Sequence, residues 1–148
     1  MNKNIKIFPM TSDDLNKIKD ELIKNFDEFW SYGILEAEIA NINSKYIIAK
    51  HYNEIVGFAG YTKIFDEANI MNIVTRKDRR NQGIASCLLE NLILIAKDDL
   101  MSSITLEVNT NNLTAIHIYK KFNFKETGLR KKYYDNKDDA LIMTLYLK

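Results

Sequence analysis

The most chemically suggestive residues are a loop suited to binding an anion, followed along the chain by a carboxylate and a phenol. The loop, Arg80–Ala85, lies between two apolar runs and carries Gly83 at the start of the second run. Glycine lets backbone approach a ligand closely, and the unpaired N–H groups at a helix start favour an anion such as pyrophosphate. Four of the five residues from Arg76 to Arg80 are basic. The pattern predicts a phosphate site, with a basic surface loop as the alternative.

Glu107 and Tyr119 follow this loop at positions from which both can reach a ligand bound there. Glu107 lies near the carboxyl end of the next predicted strand, and Tyr119 lies on the helix after it. Ligands of open α/β sheets bind beyond the carboxyl ends of the strands. A carboxylate and a phenol suit proton transfer, with Glu107 as base and Tyr119 as acid. Taken singly, Glu107 is better explained by a surface salt bridge and Tyr119 by core packing.

Apolar periodicity predicts the elements that must position these residues. A strand–helix–strand unit over residues 68–108 is a βαβ crossover, which implies two parallel strands. The remaining strands favour antiparallel pairing, so we expect a mixed, mostly antiparallel sheet with helices on both faces. The predicted strands are Ile5–Phe8, Tyr46–Ala49, Ile55–Ile64, Ala68–Val74, Ser103–Val108, Phe124–Gly128 and Ala140–Leu147, the last two separated by a polar stretch, Lys131–Asp139.

Four helices are predicted between these strands. The first begins at an N-cap, Thr11, and carries an apolar stripe on one face. The third is apolar nearly all round, which indicates burial against a sheet. The stripe of the first helix is Leu15, Ile18, Leu22 and Phe26, and the other helices cover about 31–42, Gly83–Lys97 and Asn112–Phe122.

Length and composition indicate one soluble globular domain spanning residues 1–148. The formal net charge is +1, so no general attraction to nucleic acid or to a membrane is expected. No apolar run approaches the ~20 residues of a membrane helix, and we expect a cytoplasmic protein without a signal peptide. The only cysteine, Cys87, is predicted to be a buried core residue. His51 and His117 have no partners at metal-ligand spacing, so no metal is expected.

These motifs resemble those of the Gcn5-related N-acetyltransferases, which bind acetyl-coenzyme A (acetyl-CoA). Arg80–Ala85 matches their Arg/Gln-x-x-Gly-x-Gly/Ala signature, and the order of elements agrees along nearly the whole chain. The resemblance implies an α/β (α+β) fold with a seven-stranded sheet splayed at its parallel pair. A narrower resemblance is to the RimI-like enzymes, which acetylate the N-terminal alanine of ribosomal protein S18. It is carried by Leu106-Glu107-Val108, Asn112, Ala115, Tyr119, Phe122, Phe124, Arg130–Tyr134 and Asp139–Met143.

The resemblance implies a role for each candidate site residue. Glu107 is expected to accept a proton from the substrate amine, and Tyr119 to protonate the departing thiolate. Asn112 is expected to bond the cofactor near its pantetheine. The backbone of Ile73, Val74 and Thr75 is expected to bind the pantetheine arm and polarise the thioester carbonyl. The pyrophosphate is expected to lie on Arg80, Asn81, Gln82, Gly83, Ile84 and Ala85.

The acceptor side is less determined by the sequence. Trp30, Tyr133 and Tyr134 are candidates for an acceptor groove, with core packing the alternative for Trp30 and a simple hairpin for the tyrosines. We expect the acceptor to be a protein N-terminus, of the S18 type, bound by a monomer or weak dimer. A small-molecule amine is the alternative acceptor. A non-catalytic CoA-binding module is disfavoured because both Glu107 and Tyr119 are present, and a dinucleotide binder because its glycine fingerprint is absent.

Overall fold

The computed structural model describes residues 4–26, 31–134 and 138–147. These residues form seven strands: β1 (Ile5–Pro9), β2 (Ser44–His51), β3 (Glu54–Ile64), β4 (Glu67–Thr75), β5 (Ser103–Asn109), β6 (Lys125–Tyr134) and β7 (Asp138–Tyr146). They form one sheet in the order β1-β2-β3-β4-β5-β7-β6. β4 and β5 are parallel, whereas β1–β2, β2–β3, β5–β7 and β6–β7 are antiparallel. The predicted mixed, mostly antiparallel sheet is therefore confirmed.

Four α-helices accompany the sheet in the described residues. They are α1 (Ser12–Ile18), α2 (Tyr32–Ala40), α3 (Ile84–Asp98) and α4 (Leu113–Lys121). None of the helices in this part of the chain is long and apolar enough to cross a membrane.

The chain divides into two compact units. The first comprises Met1–Thr62 and Met71–Leu94, and the second comprises Lys63–Ile70 and Ile95–Lys148. The single domain expected over residues 1–148 stays a prediction.

The first unit is organised around a core between α1 and α2 and one face of β2 and β3. Thr11 caps α1 in a capping box with Asp14, as its position predicted. The helix ends at Ile18, and the chain continues through a 3-10 turn and a π-helical turn, Leu22–Phe26. The predicted helix is therefore interrupted, yet the whole stripe of Leu15, Ile18, Leu22 and Phe26 is buried. The periodicity identified the buried face and not the hydrogen-bonding pattern.

Helices lie on both faces of β3 within this unit. Phe58 belongs to the core cluster that contains Leu15 and Leu35 from α1 and α2. A Cβ atom on the neighbouring Gly57 would point the other way, toward Ile84 and Leu88 at the start of α3. Successive residues of a strand face opposite sides of the sheet, so α1 and α2 lie on one face of β3 and α3 on the other.

The second unit is built on β5, which pairs with β7 along its whole length. Its alternation is as predicted: Ile104, Leu106 and Val108 are buried, whereas Thr105 and Glu107 are partly exposed. The prediction of a polar connection over Lys131–Asp139 is wrong in extent. β6 continues to Tyr134, and Tyr134 is paired with Asp138 of β7. β6 is an edge strand of the sheet, where polar side chains are compatible with ladder pairing.

Candidate active site

The loop before α3 has the geometry that its sequence predicted. Gly83 has a φ of 79°, in the left-handed region that favours glycine, and Asn81 has a φ of 65°. α3 begins at Ile84, and the amide of Cys87 donates to the carbonyl of Gly83 at 3.0 Å. The N–H groups that precede Cys87 in this first turn therefore have no partner within the helix. They form the positive end of the helix dipole, which suits an anion.

Gly57 of β3 holds the start of α3 close to the end of β4. A Cβ atom on this residue would lie 2.8 Å from the carbonyl oxygen of Val74 and 3.0 Å from the Cγ2 atom of Ile84. Only glycine fits this space without displacing backbone. Gly57 was missed in the sequence, although an isolated glycine within a strand often marks a close backbone approach.

The carboxyl end of β4 is paired on one side only. Its register with β5 runs from Glu67↔Ser103 to Asn69↔Thr105 and ends there, although β4 continues to Thr75. On the other side, the amide of Arg76 still donates to the carbonyl of Val56 in β3 at 2.8 Å. No residue of β5 is a register partner for Ile73, Val74 or Thr75 in the described chain. The parallel pair is therefore splayed at this end, as the family resemblance implies. The backbone groups of this segment that face β5 are not used in pairing with that strand.

The basic run before the loop is largely engaged by the protein itself. Arg76 donates to Glu21 and to Asp78, each at 2.9 Å, and the hydrogen bond to Glu21 is the main cause that raises the pKa of this guanidinium. Arg79 donates to Glu54 at 2.7 Å and lies 3.0 Å from the Nδ1 atom of His51. These two arginines hold the loop in place, which leaves the exposed Arg80 as the arginine of the run best placed to meet a phosphate.

Glu107 lies in the second unit and is partly exposed, as a base needs to be. Its Oε1 atom is 3.0 Å from the Nη2 atom of Arg130 on β6, and the side chains are 28% and 54% exposed, respectively. The salt bridge considered as the alternative for Glu107 is therefore present. It engages one carboxylate oxygen and is compatible with a role for the other.

Asn112 and Tyr119 are both positioned by α4. Asn112 is the N-cap, and its Oδ1 atom accepts from the amide of Ala115 at 3.2 Å. This bond orients the side chain and uses only its carbonyl oxygen, so the amide N–H₂ group is left to donate. Tyr119 lies within α4 and is half-buried. The centroid of its ring lies 6.0 Å from that of Phe124, and the two ring planes are tilted by 54°.

The connection between β5 and α4 is fixed by one carboxylate. Asp138 accepts from the Nδ2 atom of Asn109 at 3.2 Å and from the Nδ2 atom of Asn111 at 3.0 Å. The amide of Thr110 also donates to the carbonyl of Asp139. The start of β7 thus holds the loop that leads into α4 and sets where Asn112 begins the helix.

Of the three acceptor candidates, the structure describes the backbone of two. Trp30 lies outside the described residues. Tyr133 and Tyr134 belong to β6, and their backbone alone is described.

Within the described chain, no group of three or more His, Cys, Asp or Glu side chains could hold a metal ion.

The structure thus assembles the candidate residues in two groups. Ile73–Thr75 and Arg80–Ala85 meet in the first unit, and Glu107, Asn112 and Tyr119 belong to the second. Nothing in the sequence indicated that Arg130 pairs with Glu107.

Comparisons with known proteins identify the family and the fold. The profile of the acetyltransferase (GNAT) family matches residues 15–124. The [ribosomal protein bS18]-alanine N-acetyltransferase of Haemophilus influenzae is 32% identical over 124 residues, covering 80% of this chain and 82% of that enzyme. The crystal structure of the ribosomal-protein-S18-alanine N-acetyltransferase from Escherichia coli superposes with a TM-score of 0.88 at 26% identity, covering 97% of this chain and 94% of that one. A GNAT family acetyltransferase from Elizabethkingia anophelis with acetyl-CoA bound shares the fold, with a TM-score of 0.77 at 23% identity over 99% and 100% of the two chains.

Proposed function

The chain belongs to the acetyltransferase (GNAT) family, and we propose that it acetylates the N-terminal α-amine of a protein, with an alanine of the bS18 type as the acceptor residue. It is an acetyl-CoA-dependent N-acetyltransferase. The acceptor is proposed from its similarity to the bS18-alanine N-acetyltransferases of Haemophilus influenzae and Escherichia coli. We place the reaction in the cytoplasm, where bacterial ribosomal proteins are made.

The observation that carries the proposal is the start of α3 beside the half-paired end of β4. Gly83 gives the loop its left-handed turn, and the open N–H groups of the first helical turn suit a pyrophosphate. Gly57 keeps Val74 and Ile84 close together, which would place the pantetheine-binding and phosphate-binding backbone side by side. These features fit coenzyme A, and each is a backbone property that a solvated basic loop does not need.

Acetyl-CoA supplies a thioester whose acyl carbon is attacked by the amine. Glu107 would accept the proton that the amine loses, directly or through a water molecule. Tyr119 would donate its phenolic proton to the departing sulfur, whose basicity should resemble that of a cysteine thiolate. Asn112 would donate its amide N–H₂ group to the pantetheine, because its carbonyl oxygen is already used as the cap of α4.

The chemistry of the nucleophile supports an α-amine over a lysine. Only the neutral amine attacks, and the pKa is about 8 for an α-amine and about 10.4 for a lysine. Deprotonation near pH 7 therefore costs about 1 kcal/mol for the first and about 4.6 kcal/mol for the second. A partly exposed carboxylate such as Glu107 is a sufficient base for the smaller cost.

The proposal is tested by comparing kcat/KM for three acceptors at equal acetyl-CoA. They are a peptide beginning Ala-Arg-Tyr, a peptide with a blocked N-terminus and one lysine, and spermidine. We expect the Ala-initiated peptide to be the best substrate. A higher kcat/KM for spermidine or for the lysine peptide would overturn the proposed acceptor, and so would the absence of turnover with the Ala-initiated peptide.

A further inference from the structure

Arg130 reaches Glu107 across an intervening strand. Arg130 of β6 is paired with Ala140 of β7, and Glu107 of β5 is paired with Ile142 of β7. Directly opposed residues, and residues two apart on one strand, share a face of the sheet. Arg130, Ala140, Ile142 and Glu107 therefore lie on one face. Neighbouring strands are about 4.8 Å apart, so the two long side chains together cross about 10 Å perpendicular to β7, with an offset of two residues along it.

Small residues leave room for this crossing. Ala140 is directly opposite Arg130, and its single methyl group does not obstruct a guanidinium that extends over β7. Gly128 is opposite Ile142, and a Cβ on this glycine would lie 3.2 Å from the Cδ1 atom of Ile142. The isoleucine side chain is thus accommodated over the edge strand. The register and the small Ala140 therefore leave a path over β7 along which Arg130 reaches Glu107.

Stability does not account for this contact. An ion pair between side chains that are 54% and 28% exposed is well solvated, and such pairs contribute little to folding. Geometry gives a better reason. A glutamate has three side-chain torsions, and a carboxylate that must meet an amine works best when these torsions are already set. The guanidinium binds Oε1 and leaves Oε2 as the oxygen that can accept a proton.

We propose that Arg130 is the positioning residue of the base: it binds Oε1 of Glu107 and thereby orients Oε2 toward the substrate amine. This inference rests on the proposed function, because it takes Glu107 to be the base of the acetyl transfer. Arg130 itself transfers no proton. Its contribution is to the orientation of the carboxylate, so it should be visible in kcat and not in the binding of acetyl-CoA.

The test is a set of variants assayed on the Ala-initiated peptide. Arg130→Ala is expected to lower kcat by tenfold or more, up to the roughly 100-fold that a 1 Å misplacement can cost, with KM for acetyl-CoA unchanged. Arg130→Lys should retain part of the rate. Lys131→Ala is the matched control, because it removes a neighbouring exposed positive charge of the same strand, and it should change kcat by less than about twofold.

Two further measurements separate positioning from a structural effect. Ethylguanidinium at a sub-denaturing concentration should restore kcat of Arg130→Ala, whereas sodium chloride at equal ionic strength should not. In a Glu107→Gln background, Arg130→Ala should cost less than about twofold more, because residues that act through each other are non-additive.

The inference is overturned if Arg130→Ala retains the wild-type kcat, if Lys131→Ala loses as much, or if the losses of Arg130→Ala and Glu107→Gln multiply. A wild-type enzyme that does not acetylate the peptide contradicts the proposed function instead, and this is seen before any variant is compared.

Discussion

Gly57 of β3 lies against the carbonyl oxygen of Val74 at the end of β4, at a distance that excludes any side chain. The same residue faces Ile84, the first residue of α3. Because Gly57 has no Cβ atom, the end of β4 and the start of α3 can lie close together. These are the segments proposed to bind pantetheine and pyrophosphate, respectively.

Gly57→Ala should weaken both the fold and the binding of acetyl-CoA. The new Cβ would lie 2.8 Å from a backbone oxygen, so β4 or α3 must shift, at a cost of about 1–3 kcal/mol. Urea unfolding and calorimetric titration with acetyl-CoA measure the two effects. Gly33→Ala is the matched control, because nothing beyond the backbone of its own helix and its chain neighbours lies within 4 Å of its added Cβ, and it should leave binding intact. Wild-type affinity in Gly57→Ala would show that the close approach is not needed.

Gly83→Val should abolish most acetyl-CoA binding while the protein remains folded. A β-branched residue is strained at a φ of 79°, and its side chain would block the approach of a phosphate to the backbone. Leu100→Val is the control, since it places the same β-branched residue at a φ of 61° on an exposed position outside this loop. The two affinities should separate clearly in calorimetry, and equal affinities would remove the pyrophosphate from this loop.

Tyr119→Phe should lower kcat by roughly 10²–10⁴-fold, the usual range for a lost general acid. The ring contact with Phe124 is retained in this variant, so acetyl-CoA affinity and stability should change little. Tyr146→Phe removes a hydroxyl from an exposed tyrosine of β7 and serves as control. A loss in Tyr119→Phe below about threefold, measured when the chemical step limits the rate, would assign the residue to packing.

Stability should fall at alkaline pH because two buried groups hold their protons in the folded state. Burial raises the pKa of the Cys87 thiol, and burial followed by the charge of Glu38 raises the pKa of the Tyr46 hydroxyl. The unfolded chain releases these protons near the ordinary values, about 8.5 and 10. Their contribution to the free energy of unfolding is therefore full below pH about 8.5 and declines as pH rises further.

Urea unfolding at a series of pH values from 7 to 11 measures this decline. Cys87→Ala should flatten its first part and Tyr46→Phe its later part, relative to the wild type at each pH. The lysines titrate in all three proteins and cancel in the comparison. Identical slopes in the wild type and both variants would mean that neither group is responsible.

The sequence predicted the fold well where local pattern carries the information. The buried stripe of Leu15, Ile18, Leu22 and Phe26, the alternation of β5 and the loop before α3 follow from side-chain periodicity and from one glycine, and each is present. Periodicity does not distinguish an α-helical turn from a π-helical one, so the interruption after Ile18 was not foreseen. The extent of β6 was also underestimated, because an edge strand can carry polar residues that resemble a loop.

Interactions between distant residues limited the prediction of the site. Arg76 and Arg79 are predicted with the phosphate loop, yet besides the nearby Asp78 their partners are Glu21, Glu54 and His51, which lie well before them in the chain. The pairing of Arg130 with Glu107 depends on the order of β5, β7 and β6 in the sheet. This order brings together two residues that are far apart along the chain. Such contacts are set by strand order and register, and spacing along one chain does not reveal them.

The most direct measurement of the proposed function uses one peptide with two competing amines. The peptide begins with alanine and carries a single internal lysine, and its acetylation by the wild-type enzyme is located by fragment-ion mass spectrometry. The proposed function predicts one acetyl group, on the α-amine of the alanine, because this amine is the one more easily deprotonated near neutral pH. Acetylation of the lysine in preference to the α-amine would contradict the central claim.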